Sequence, residues 1–69
     1  MIKSNIKAIM ECKGETLRSL GEKTGFSNRT IVKARTDAGI AECRLSTLKR
    51  IADALGVPLK DLFEDTETL

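Results

Sequence analysis

Histidine, tryptophan and tyrosine are absent from the 69 residues, and proline occurs once. Without histidine the chain lacks the side chain best suited to proton transfer near neutral pH. It also lacks a glycine-rich phosphate loop, and its acids are scattered over solvent-facing positions. Glu64-Asp65 reads as a solvating tail rather than as a paired-carboxylate site. Catalysis is therefore not expected. Aromatic residues are limited to two phenylalanines, which does not suggest a stacking platform for single-stranded nucleic acid. Cys12 and Cys43 are far apart and do not make a zinc site, which usually takes four Cys or His ligands. Free thiols in a reducing compartment are the expectation, with a disulfide between the two as the alternative. Long apolar runs are missing too, so no stretch suits a membrane span. The opening MIKSNIKAIMECK has no uninterrupted apolar stretch of the signal-peptide kind. The expectation is a cytoplasmic protein with no cofactor, no metal, no membrane association and no small-molecule ligand.

What the chain does contain is aliphatic residues at helical spacing and an uneven charge. Residues 1–50 hold eleven Lys or Arg against five Asp or Glu, and residues 51–69 hold one against five. A basic body with an acidic end fits a polyanion partner on one face. A mixed-charge soluble surface accounts for the same totals. No repeat or linker interrupts the chain, so one domain over 1–64 and a frayed acidic tail over 65–69 are expected.

The periodicity lays out a series of helices. Ile2, Ile6, Ile9 and Met10 form a stripe over residues 2–11, and Gly14 is its stop. Ser4 or Asn5 offers a later start. Thr16 caps a second helix, Leu17 to Thr24, in which Gly21 favours a close helix approach. Gly25-Phe26-Ser27 is a tight break, and Ser27 is the cap of a third helix from Asn28 to about Arg35. Its inner side is Ile31 and Ala34; its outer side is Asn28, Arg29, Val32, Lys33 and Arg35. Asp37, Ala38 and Gly39 read as a helix exit, and an extra short turn within 36–45 is the alternative. Ser46 caps a fourth helix, Thr47 to Leu55, on which Leu48, Ile51, Ala52 and Leu55 give the clearest periodicity. Gly56 ends it, and Pro58 opens a short fifth helix with Leu59, Leu62 and Phe63 on its apolar side.

A helix, a glycine turn and a second capped helix make a helix-turn-helix, whose second helix can enter a DNA major groove. Arg29 suits guanine, Asn28 suits adenine, Val32 suits the thymine methyl, and Lys33 reaches guanine or phosphate. A solvated polar face is the ordinary alternative for these residues. Thr16, Ser27, Thr30, Arg35, Arg44, Ser46 and Thr47 are candidates for phosphate contacts from helix starts and flanking bases. Simple capping explains Ser27 and Ser46 at least as well.

At these residues a resemblance enters. LGEKTGFSNRTIVKA resembles the helix-turn-helix of the Cro/C1-type phage repressors, the XRE family, and RLSTLKRIADALGVPLKDLF resembles the two helices that follow it. The resemblance implies an all-α, compact five-helix domain like that of the lambda repressor. It implies base reading at Ser27, Asn28, Arg29 and Lys33, and a homodimer on a palindromic double-stranded operator. Leu17 stands where many relatives carry glutamine, and Arg35 where many carry an acid. The segment between the third and fourth helices is slightly longer than in typical members. Leu59, Leu62, Phe63 and Leu69 are the expected dimer surface, with ordinary core packing as the alternative, the favoured one for Leu62 and Phe63. The functional expectation is a sequence-specific DNA-binding transcriptional regulator, a repressor. The alternative is a protein-interaction module on the same fold, antitoxin-like or a fragment of a larger regulator.

Overall fold

The computed structural model describes residues 2–65. In chain order it has strand β1 (Ile2–Ser4) and helices α1 (Ile6–Lys13), α2 (Leu17–Thr24), α3 (Asn28–Ala34), α4 (Asp37–Glu42) and α5 (Leu45–Leu55). A 3-10 helix (Leu59–Leu62) and strand β2 (Phe63–Asp65) follow. The architecture is all-α, with one short two-stranded sheet.

The chemistry of the caps explains most of the boundaries. Thr16 and Ser19 form a reciprocal box: the Ser19 amide donates to Thr16 Oγ1 at 3.0 Å, and the Thr16 amide donates to Ser19 Oγ at 2.9 Å. Serine replaces the longer Glu or Gln that commonly fills this position. Gly25 ends α2 at φ 80°, a left-handed conformation that costs glycine nothing. Ser27 then caps α3 by accepting from the Thr30 amide at 3.4 Å.

The core is aliphatic. Ile6, Leu20, Ile31, Ala34, Ile51, Ala52 and Leu62 are all 0 % exposed, and Met10, Ile40, Leu48 and Leu55 are buried around them. Each Leu or Ile so buried stabilises the fold by roughly 1.5–3 kcal/mol. Thr24 is the one buried polar side chain among the described residues, and its hydroxyl donates to the Leu20 carbonyl at 2.8 Å.

The structure corrects several expectations. Ile2 is not on the first helix but in β1, which pairs antiparallel with β2 in the register Ile2–Asp65, Lys3–Glu64 and Ser4–Phe63. The helix begins at Ile6, after Asn5, the later of the two starts left open. Glu64 and Asp65, expected at the acidic end, are thereby held in a strand. Asp37, Ala38 and Gly39 do not leave a helix but begin α4, the extra turn that was the alternative. Thr36 caps α4, accepting from the Gly39 amide at 2.9 Å and donating to the Lys33 carbonyl at 2.8 Å. Ser46 lies inside α5, and Arg44 occupies the cap position without a side-chain hydrogen bond. The fifth expected helix is the 3-10 turn after Pro58.

β1 also fixes the end of α3. Ser4 Oγ donates to the Ala34 carbonyl at 2.7 Å, satisfying an acceptor that a helix end leaves open. The Ser4 amide donates to Asp37 Oδ1 at 2.8 Å. The strand thus ties α3 to α4, and the Asn5 amide ties it to the Leu62 carbonyl at 2.8 Å.

Candidate nucleic-acid interface

Helix α3 is only seven residues long, and its two sides differ sharply. Ile31 and Ala34 are fully buried, whereas Asn28, Arg29, Val32 and Lys33 are exposed, Val32 at 45 %. At 100° per residue the four exposed positions fall in one arc of about 140°. The inward side is held against α2, where Gly21 allows a close approach. A Cβ at Gly21 would stand 3.1 Å from the Phe26 carbonyl oxygen and 3.7 Å from the Ile31 side chain. The close approach at Gly21 is thus to the backbone of the turn, with the α3 side chains at ordinary contact distance. On the other flank the Arg50 guanidinium lies over the Phe26 ring, 5.7 Å from its centroid, a cation–π contact joining α5 to the turn.

The exposed arc borders a concave surface that local sequence patterns do not reveal. Arg29, Thr30 and Lys33 of α3 form one wall. Arg44 and Thr47, at the start of α5, form the other, and Glu42 and Cys43, at the junction of α4 and α5, complete the lining. Two expected base-reading residues and three expected phosphate-contacting residues thus come together around one groove. Arginine and lysine supply a positive surface here, and the start of α5 adds the partial positive charge of a helix N-terminus.

The remaining expected residues lie elsewhere. Ser27 is exposed and acts as a cap, with its hydroxyl also 3.2 Å from Thr30 Oγ1. Arg35 is half-buried at the C-terminal end of α3. Ser46 is exposed on the first turn of α5. Thr16 is exposed at the start of α2, inside its capping box. Glu15, just before it, is bonded by Lys23 and Ser19. Those hydrogen bonds, Lys23 first, hold its carboxyl below the usual range, and this cluster steadies α2 rather than lining the groove.

The expected dimer residues divide in another way. Leu62 is fully buried, so its side chain belongs to the core and offers no contact surface. Leu59 and Phe63 are half-buried against that core, and Leu69 lies outside the described residues. Among the described residues the most exposed large apolar side chain is Leu45, at 66 %. It borders an apolar groove with Ile2, Ile40, Leu48 and Phe63.

Glu42 and Cys43 are groove residues that the sequence does not mark, because an extra turn within 36–45 does not by itself say which of its residues face α3. A signal for the turn itself existed: Thr36 followed by Asp37 is a cap followed by an acidic first turn. The Glu42 carboxylate stands 3.5 Å from Lys33 Nζ, with both side chains more than half exposed. Cys43 donates its thiol to the Gly39 carbonyl at 3.3 Å, and both cysteines are free. Among the described residues no group of three or more His, Cys, Asp or Glu is placed to hold a metal ion, and no helix is long and apolar enough to cross a membrane.

No curated protein and no solved structure matches the chain. A family model described as the Cro/C1-type HTH DNA-binding domain matches residues 5–67, from the cap of α1 to beyond β2. That span includes the turn, the exposed arc and both walls of the groove, and the chain belongs to the family of Cro/C1-type helix-turn-helix DNA-binding domains.

Proposed function

We propose that this DNA-binding regulator is a sequence-specific repressor that seats α3 in the major groove of duplex DNA as a homodimer. The observation that carries the reading is the exposed arc of Asn28, Arg29, Val32 and Lys33 beside a groove walled by Arg44 and Thr47. Arg29 would donate two hydrogen bonds to the O6 and N7 edge of guanine, and Asn28 would pair with adenine. Val32, already solvent-facing, would meet a thymine methyl. Lys33 would reach guanine or a phosphate. Ser27, Thr30, Arg44, Ser46 and Thr47 would hold the flanking backbone, with Thr16 and Arg35 at its margins. Such contacts position the protein without reading sequence. A bound protein blocks access to its site, so repression needs no further machinery. A cytoplasmic or nucleoid location follows from the same partner.

A helix this short covers few base pairs, and a second copy on a second half-site supplies the missing specificity. We place the contact between copies at Leu45 and the apolar groove that runs to Phe63. A palindromic operator mirrors that symmetry.

The test is selection of bound sites from a random duplex pool, followed by titration at several salt concentrations. Binding should weaken steeply as salt rises, through release of counterions. Arg29→Ala should weaken the selected site about 5- to 150-fold, the equivalent of roughly 1–3 kcal/mol, and random duplex much less. Arg44→Ala should weaken both alike and lower the salt slope by about one. Failure to retain any duplex at low salt would overturn the reading and favour a protein partner on the same fold.

A further inference from the structure

Three arms of the groove beside α3 are cationic: Arg29, Lys33 and Arg44. Glu42 is the one acid among the described residues that line it. An acid there opposes the partner for which the groove is suited, since a carboxylate facing a phosphate backbone is repelled. Its position is set by structure rather than by chance along the sequence. Gly39 is buried where α4 meets the end of α3, and Thr36 bonds the Lys33 carbonyl, so the turn carrying Glu42 is brought back beside Lys33. The resulting ion pair, at 3.5 Å, joins the last turn of α4 to an exposed residue of α3.

We infer that Glu42 is a specificity-determining residue that acts by occupying Lys33. Before DNA arrives, the pair draws Lys33 away from any nearby phosphate and lowers the positive potential of the groove. Binding to arbitrary duplex, which depends on phosphate contacts, is weakened most. On the correct site the full set of base contacts forms, and Lys33 exchanges one acceptor for another. Both partners are solvent-exposed, so their attraction is weak enough to be surrendered when those contacts are available. Discrimination arises from the penalty on the wrong partner as well as from the attraction of the right one. This inference rests on α3 being the DNA-reading element.

The experiment compares wild type, Glu42→Gln, Lys33→Ala and the double variant on the selected operator and on random duplex, across a salt series. Glu42→Gln should tighten random-duplex binding about threefold or more and steepen its salt slope by about one phosphate contact. The operator-to-random ratio should fall. In the Lys33→Ala background the same substitution should do markedly less, because the two effects are coupled through one pair. Thermal melting reports whether each variant is folded. If Glu42→Gln leaves random-duplex affinity and slope unchanged, the inference is overturned while the DNA-binding reading stands. Selective loss of operator affinity also overturns it, making Glu42 a direct reader of a base amino group. If wild type binds no duplex at all, the DNA-binding reading falls and takes the inference with it.

Discussion

Replacing Gly39 by alanine should destabilise this domain, although alanine is the better helix former. The perturbation is one methyl group at the third position of α4. A Cβ there would lie 2.6 Å from Thr36 Oγ1, 2.8 Å from the Lys33 carbonyl carbon and closer still to that carbonyl's oxygen. Cβ atoms essentially never approach heavy atoms within 3.0 Å. The obstruction is backbone at the end of α3, not the tip of a flexible side chain, so the two helices must separate by roughly 1 Å. Overpacking of this kind costs about 1–3 kcal/mol, and the upper end applies where backbone has to move. The Thr36 cap is disturbed as well, at about 1 kcal/mol, against a propensity gain of about 1 kcal/mol for alanine. The net loss is about 2–3 kcal/mol, from a total stability of about 3–10 kcal/mol for a chain of this length. For a small domain that corresponds to a fall in Tm of about 10–20 °C. Thermal unfolding followed by far-ultraviolet circular dichroism measures it. A Gly39→Ala protein as stable as wild type would refute the close approach of α3 and α4, and with it the placement of Glu42 beside Lys33.

Two further outcomes are expected. Leu45→Glu should leave the monomer folded, because Leu45 is 66 % exposed, but should convert a dimer to a monomer in sedimentation and weaken operator binding; persistence of the dimer would move the contact elsewhere. The Glu15 carboxyl is held below its ordinary range by Lys23 and Ser19, so its contribution is present above the unfolded carboxyl pKa and is lost as pH falls through the lower, folded value. Glu15→Gln should accordingly be less stable than wild type near neutrality, with the gap closing in acid; a gap independent of pH would show that the ion pair does not contribute.

The contrast between α3 and α4 shows what is legible in residues alone. The limits of α2 and the start of α3 follow from Thr16, Gly25 and Ser27, each acting on amides or dihedrals within a turn of itself. The exposed arc of α3 follows from Ile31 and Ala34, because one apolar edge on a helix dictates the other. Gly39, by contrast, resembles a stop signal when read locally. Its real use is to let α4 approach the backbone of Lys33, a requirement invisible without both helices in place. Ile2 likewise fits the stripe of a helix, since its spacing to Ile6 satisfies a helical period. Pairing with Asp65 draws it into a strand instead.

Local periodicity and capping by themselves determined an all-α chain with a helix-turn-helix at its centre, and which side of α3 is polar. These depend on interactions spanning three or four residues, which a linear pattern records directly. Tertiary structure alone decided the β1–β2 clasp, the groove between α3 and α5, and the acid set within it. Those features join residues as distant as Ile2 and Asp65, or Lys33 and Glu42, and such pairings arise only when burial of a shared core brings the elements together.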